Sequence, residues 1–295
     1  MVVGNKKVQK LTETQSKVLD YLIPGLATDR ELYEKVLNDV KIKPESSRRK
    51  ALKIINDLIE IAYIDLRNMP KSDERIVIAT SKGAAEVIGH FRYFTLETAW
   101  KHFPKRDHET HDLMYASVMR KILAAFDPAD IIYVRPEHYL RKLAGKSWSQ
   151  SDRRRSYPDC EFAFFYHGRH CVDIEIVRGD MEGQSLLGKI QSSGHQNHFL
   201  AIVRDEKQIG NFYDYIVQSE RKCSITTARA KMVHFISETE LMTGKFQDLL
   251  WLTPINGKRL PLKDFRIRTN QVAVMGKFID IPDDDDYACD FLEPL

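Results

Sequence analysis

The chain has 295 residues, with 45 Lys and Arg against 42 Asp and Glu, and is 43% hydrophobic with 14 Phe, 12 Tyr and 3 Trp. That is enough apolar material for a buried core in one large or two ordinary domains, and it excludes an intrinsically disordered or collagen-like chain. The net charge of +3 conceals an asymmetry, because residues 280–295 hold seven acids and no base, so a basic body precedes an acidic tail.

No apolar run approaches the roughly 18–20 residues that span a bilayer, and the opening MVVGNKKVQK is basic without the apolar stretch of a signal peptide. A cytoplasmic protein with no membrane segment is the expectation. The four cysteines, Cys160, Cys171, Cys223 and Cys289, lie far apart with no CxxC pair, which argues against a zinc ribbon and a disulfide framework.

In chain order, Thr12 and Gln15 have the form of a capping box, and Val18, Leu19, Leu22 and Ile23 fall on one helical face ended by Pro24-Gly25. Thr28-Asp29 caps a second, short helix carrying Leu32, Val36 and Leu37. A third helix opens at Ser46 or Ser47, with Leu52, Ile55, Leu58 and Ile59 inward and Arg48, Arg49, Lys50 and Lys53 on its first turns. Two β-type runs at 63–67 and 75–79 follow. Helix, helix, helix, hairpin is the order of a winged helix-turn-helix, whose third helix enters the major groove with its N-terminal residues. Three consecutive bases there suit phosphates and guanine edges, and they stand at the unfavourable end of the helix dipole, which points to an anionic partner. The expected division is a winged-helix DNA-binding domain at 1–92, an α/β domain at 93–279 and the acidic tail at 280–295.

The second domain begins with a helix from His111-Asp112 and a buried strand at 131–134. A basic stretch with Arg141, Lys142, Lys146, Arg153, Arg154 and Arg155 leads into SYPDCEFAFFYHGRHCVDIEIVRGD. Residues 162–166 and 171–177 read as a hairpin closed by His167-Gly-Arg169. In its second strand Val172, Ile174 and Ile176 fill one face, while Asp173 and Glu175 share the other. With that loop Glu175 lies opposite Glu161 and diagonal to Asp159, roughly 7–8 Å away at Cα, close enough for Asp159 and Glu175 to share a divalent cation. Crowded carboxylates need a cation between them. Mg²⁺ or Mn²⁺ is the natural candidate, and Lys189 on the next helix can orient a water or steady a phosphate's developing charge. The bland alternative is a solvent-facing amphipathic hairpin whose acids pair with nearby arginines.

Pro158-Asp159, Glu175 and Lys189 together resemble the PD-(D/E)xK nuclease core. The winged helix, the His111 helix, the "PD" strand, the strand ending Glu175-Ile-Val-Arg178-Gly179 and the Lys189 helix are similar in order to the plasmid replication-relaxation family and its relatives, the MobC-type conjugative relaxases, over about residues 10–205. The resemblance implies an α/β (α+β overall) chain, with a winged helix before a restriction-endonuclease-like mixed sheet. It makes Asp159 and Glu175 metal ligands, Asp173 a further candidate ligand, Lys189 the catalytic lysine and His111 a histidine of the site. The chain departs from the pattern at Val177, where the motif has its lysine.

Gly183-Gln-Ser-Leu-Leu-Gly188-Lys189-Ile190 falls short of a P-loop, since the Ser or Thr that holds Mg²⁺ is missing and leucines stand where the loop wraps phosphates. The pairs His108/His111 and His195/His198 lack a third zinc ligand. The expectation is a metal-dependent DNA-nicking, relaxase-like endonuclease acting on double-stranded plasmid or mobile-element DNA with other relaxosome or replication proteins. The alternative is a non-catalytic winged-helix replication or transcription regulator with a degenerate nuclease-like domain.

Overall fold

The computed structural model describes residues 10–40, 44–69, 72–101, 103, 108–145, 157–165, 169–177, 181–193, 197–222, 225–243, 250–252 and 259–261. The first part of the chain runs α1 (Glu13–Leu22), β1 (Ala27–Thr28), α2 (Asp29–Val40), α3 (Pro44–Glu60), β2 (Ile64–Asn68), β3 (Arg75–Ala79) and α4 (Ser81–Val87), which tightens into a 3-10 turn at Ile88–His90. The capping box at Thr12 forms in both directions. The three strands make an antiparallel sheet in the order β1-β3-β2. Helix α3 opens earlier than its serines suggest, with Pro44 at the first position, where a missing N–H costs no hydrogen bond. Arg48, Arg49 and Lys50 therefore sit in the second turn, and the helix-dipole argument for a partner loses force.

The second part runs α5 (Glu109–Leu123), β4 (Ile131–Pro136), α6 (Glu137–Gly145), β5 (Cys160–Phe165), β6 (Arg169–Ile176), α7 (Gly183–Ser192), β7 (His198–Val203), α8 (Glu206–Arg221), α9 (Thr227–Ala230), β8 (Val233–Ser237), α10 (Glu238–Thr243), β9 (Leu250–Leu252) and β10 (Arg259–Pro261). Its sheet has seven strands in the order β10-β9-β8-β7-β6-β5-β4. The pairs β6-β7 and β7-β8 are parallel and the flanking pairs antiparallel, so the chain is mixed α and β around a mixed sheet. Residues 183–190, which nearly spell a P-loop, lie inside α7.

Alternation along the strands builds two cores. One face carries Cys160, Phe162, Phe164, Val172, Ile174, Ile176, Leu200 and Ile202, and this cluster continues through Tyr115, Val118 and Met119 of α5 to Val18, Leu19, Leu22 and Leu58 of the three-helix unit. The other face carries Val177, Phe199, Ala201, Val203, Val233 and Phe235 against Leu186, Leu187 and Ile190 of α7 and Ile209, Phe212 and Ile216 of α8. Each such fully buried side chain contributes roughly 1.5–3 kcal/mol of transfer free energy. Helix α5 also ties the parts together by polar contacts. The Arg120 guanidinium donates to the carbonyls of Tyr21 and Leu26 at 3.4 and 3.2 Å and to Glu31 at 2.8 Å, and it lies 4.2 Å from the Tyr21 ring centroid. Gly25 admits α5, since a Cβ there would meet Ala116 Cβ at 2.5 Å.

The hairpin register differs from the expectation. Glu161 pairs with Asp173 and Cys160 with Ile174, so the connection is residues 166–168 and the pairing is shifted by two positions. A shift of two keeps every side chain on its face, and one step beyond Cys160 and Ile174 the ladder brings Asp159 directly opposite Glu175.

Candidate functional site

Asp159 stands at the entrance of β5, and Glu175 lies near the exit of β6, the strand that runs antiparallel to it. Helix α7 follows β6 and turns Lys189 back over that end of the sheet. Helix α5, which covers the opposite face, reaches the same end with His111. Four side chains from four elements therefore meet at one corner of the sheet.

His111 Nε2 is 3.3 Å from Asp159 Oδ2, and His111 Nδ1 is 3.1 Å from Asp112 Oδ1. The Ile176 N–H donates to Asp159 Oδ2 at 2.7 Å. Lys189 Nζ donates to Glu175 Oε1. Glu175 Oε2 is buried with no hydrogen-bond partner among the described residues. Asp173, on the same face, accepts from Asn197 Nδ2 at 3.0 Å. Glu175, Asp173 and Asp159 are 1%, 2% and 6% exposed, a depth at which isolated carboxylates are rarely found.

The electrostatics follow from that burial. Desolvation, aided by the Asp159 charge and opposed by Lys189 and His111, raises the Glu175 carboxyl to about 8. Desolvation also raises Asp173 to about 6, against the Asn197 hydrogen bond. Burial works against the charged form of His111, but the hydrogen bonds and charges of Asp112 and Asp159 outweigh it and hold the ring cationic, with a pKa raised to about 10. The corner thus sets three acids, Asp112, Asp159 and Glu175, against two bases, His111 and Lys189.

The structure brings Asp159, Glu175, Lys189 and His111 together, with Asp173 beside them. Arg48, Arg49, Lys50 and Lys53 are exposed along α3. Arg153, Arg154, Arg155, His195 and the acidic tail lie outside the described residues. Sequence reasoning passed over Asp112, whose position in the first turn beside His111 was the available signal, and Asn197, which had none. It also missed Arg229, 8% exposed, which binds the carbonyls of Ile190 and Asn197 and the Ser193 hydroxyl and so braces both ends of the α7-β7 connection. Among the described residues no three His, Cys, Asp or Glu side chains are grouped as a ready-made metal cage. Comparisons with protein-family models, curated proteins and solved structures found no match to the chain.

Proposed function

We propose that the protein is a DNA-binding, metal-dependent DNA-nicking enzyme of relaxase-like type, acting on double-stranded plasmid or mobile-element DNA together with relaxosome or replication proteins in the cytoplasm. In this reading the α1-β1-α2-α3-β2-β3 unit is a winged helix and the seven-stranded sheet is a restriction-endonuclease-like domain. The observation that carries it is the convergence of Asp159, Glu175 and Lys189, with the buried Glu175 Oε2 left unpartnered among the described residues.

The residues fit a divalent cation. Mg²⁺ commonly takes only one or two protein carboxylates and completes its octahedron with waters and substrate phosphate oxygens. Asp159 and Glu175 supply that pair, and the corner has more acid than base. Bound there, Mg²⁺ or Mn²⁺ would supply Lewis-acid stabilisation of the scissile phosphate. His111 holds one Asp159 oxygen and fixes that carboxylate's orientation, helped by the Ile176 amide. Lys189 holds Glu175 and presents its ammonium where charge develops on the phosphate, which supports its standing in for the lysine absent at Val177. Arg48, Arg49, Lys50 and Lys53, with the 141–155 basic stretch, supply phosphate contacts to the duplex.

One observation favours the alternative, a non-catalytic DNA-binding regulator with a degenerate nuclease-like domain: Asp159 and Glu175 already have His111 and Lys189 as partners. Supercoiled plasmid incubated with the protein and Mn²⁺ separates the two. The nuclease reading expects nicked circles from wild type and at least about a hundredfold loss in Asp159→Ala, Glu175→Ala and Lys189→Ala, the scale seen when one charge-stabilising donor is removed. Absence of nicking by wild type, or equal nicking by all, selects the regulator.

A further inference from the structure

A groove of about 230 Å³ opens between α2, α3 and the β2-β3 hairpin. Its floor is apolar, with Tyr33, Leu52, Ile55 and Leu66, and its rim carries Arg30, Arg48 and Arg75 against a single lining acid, Asp29. Leu52 is 46% exposed, unusual for a leucine on a helix that otherwise buries its aliphatic residues. Arg75 pairs with Asp29 at 2.9 Å and Arg30 with Glu34 at 3.2 Å. Both pairs are solvent-exposed and so are worth little in water. The stripe that faces the groove is distinct from the one carrying Arg49, Lys50 and Lys53, and Arg48 borders both.

We infer that the occupant of this groove is the chain's own acidic segment, residues 280–295. Its sequence alternates the two chemistries the groove presents. Asp283, Asp284, Asp285, Asp286, Asp290 and Glu293 match the arginine rim, while Tyr287, Phe291 and Leu292 match the floor. Reach is no obstacle, since eighteen residues, 262–279, separate the segment from β10 and an extended chain covers about 3.3 Å per residue. A seated segment places its carboxylates beside Arg48 and the neighbouring bases, so it competes with any polyanion for α3. The docking stands apart from the DNA reading, and only this competition rests on it.

The native Cys289 lies inside the segment and provides the test. The full-length Leu52→Cys variant, mildly oxidised at low salt, is expected to form a disulfide between position 52 and Cys289, identified by peptide mass mapping. The rate should be independent of protein concentration and should fall several-fold when Arg48→Glu is added. A Phe165→Cys control, at a position 57% exposed at the end of β5, should not join Cys289. Equal joining at positions 52 and 165, or none at 52, overturns the inference. A rate that rises with protein concentration overturns it in favour of a second copy. In a separate arm, deletion of 280–295 is expected to tighten duplex DNA binding about tenfold at low salt, as removal of a competing polyanion should. If the crosslink forms while neither form binds DNA, the DNA reading falls and the docking stands.

Discussion

At the scale of single residues, the buried polar side chains carry the most information. His198 and His234 are buried on neighbouring parallel strands with Nδ1 and Nε2 3.1 Å apart. Burial, joined by the charges of His170 and Arg229, lowers His198 to about 4, and burial, joined by the charges of His198 and Arg229, holds His234 well below its ordinary value. Both are neutral in the folded chain, whereas unfolding returns each to about 6.5. Below that value the unfolded state binds more protons, so stability falls as the pH drops from about 6.5 towards 4, by roughly 2–3 kcal/mol for His198 alone. Urea midpoints measured between pH 7 and 4.5 check this, and His198→Asn/His234→Asn should flatten the profile. The carboxylates of the site were legible because acids alternate with isoleucines in a strand whose other neighbours are apolar. The histidine pair was not, because nothing in GHQNHFLAIV or KMVHFIS says that two strands 36 residues apart lie side by side.

At the scale of elements, α5 explains how the two parts of the chain hold one geometry. Its first turn bonds Arg67 of β2 through Glu109 at 2.6 Å, its third residue, His111, meets Asp159, and its last turns deliver Arg120 to carbonyls in the last turn of α1 and just beyond it. Arg120→Met keeps much of the volume but leaves those carbonyls without the guanidinium and Glu31 with the Tyr21 hydroxyl in place of its ion pair. It should lower stability by about 2–4 kcal/mol, read as a shift of the urea midpoint with an unchanged slope. Helices with regular apolar spacing were readable in the sequence, as α1 and α5 illustrate. Helix α6 was hidden because Arg141 and Lys142 drew attention as charge, although Leu140 and Leu143 sit among them. The hairpin was found but placed two positions off, since a turn containing HGR fixes which strands pair more strongly than which residue closes the loop.

At the scale of the whole molecule, basic surface lies on α3 and a surplus of acid lies at the corner of the sheet. Phosphate contact by the first predicts a salt-dependent duplex affinity. Arg48→Ala/Arg49→Ala should reduce the slope of log affinity against log salt by about 0.9 for each phosphate no longer neutralised, and an unchanged slope would remove α3 from the interface. The second region makes the sharper prediction, that Asp159 and Glu175 together hold a divalent cation. Calorimetric titration of Mn²⁺ into the full-length protein decides it. Wild type is expected to bind one ion per chain, and both Asp159→Asn and Glu175→Gln should abolish that binding while each variant keeps its folded circular dichroism spectrum. Absence of binding to wild type, or binding that survives both substitutions, would show that the corner is not a metal site.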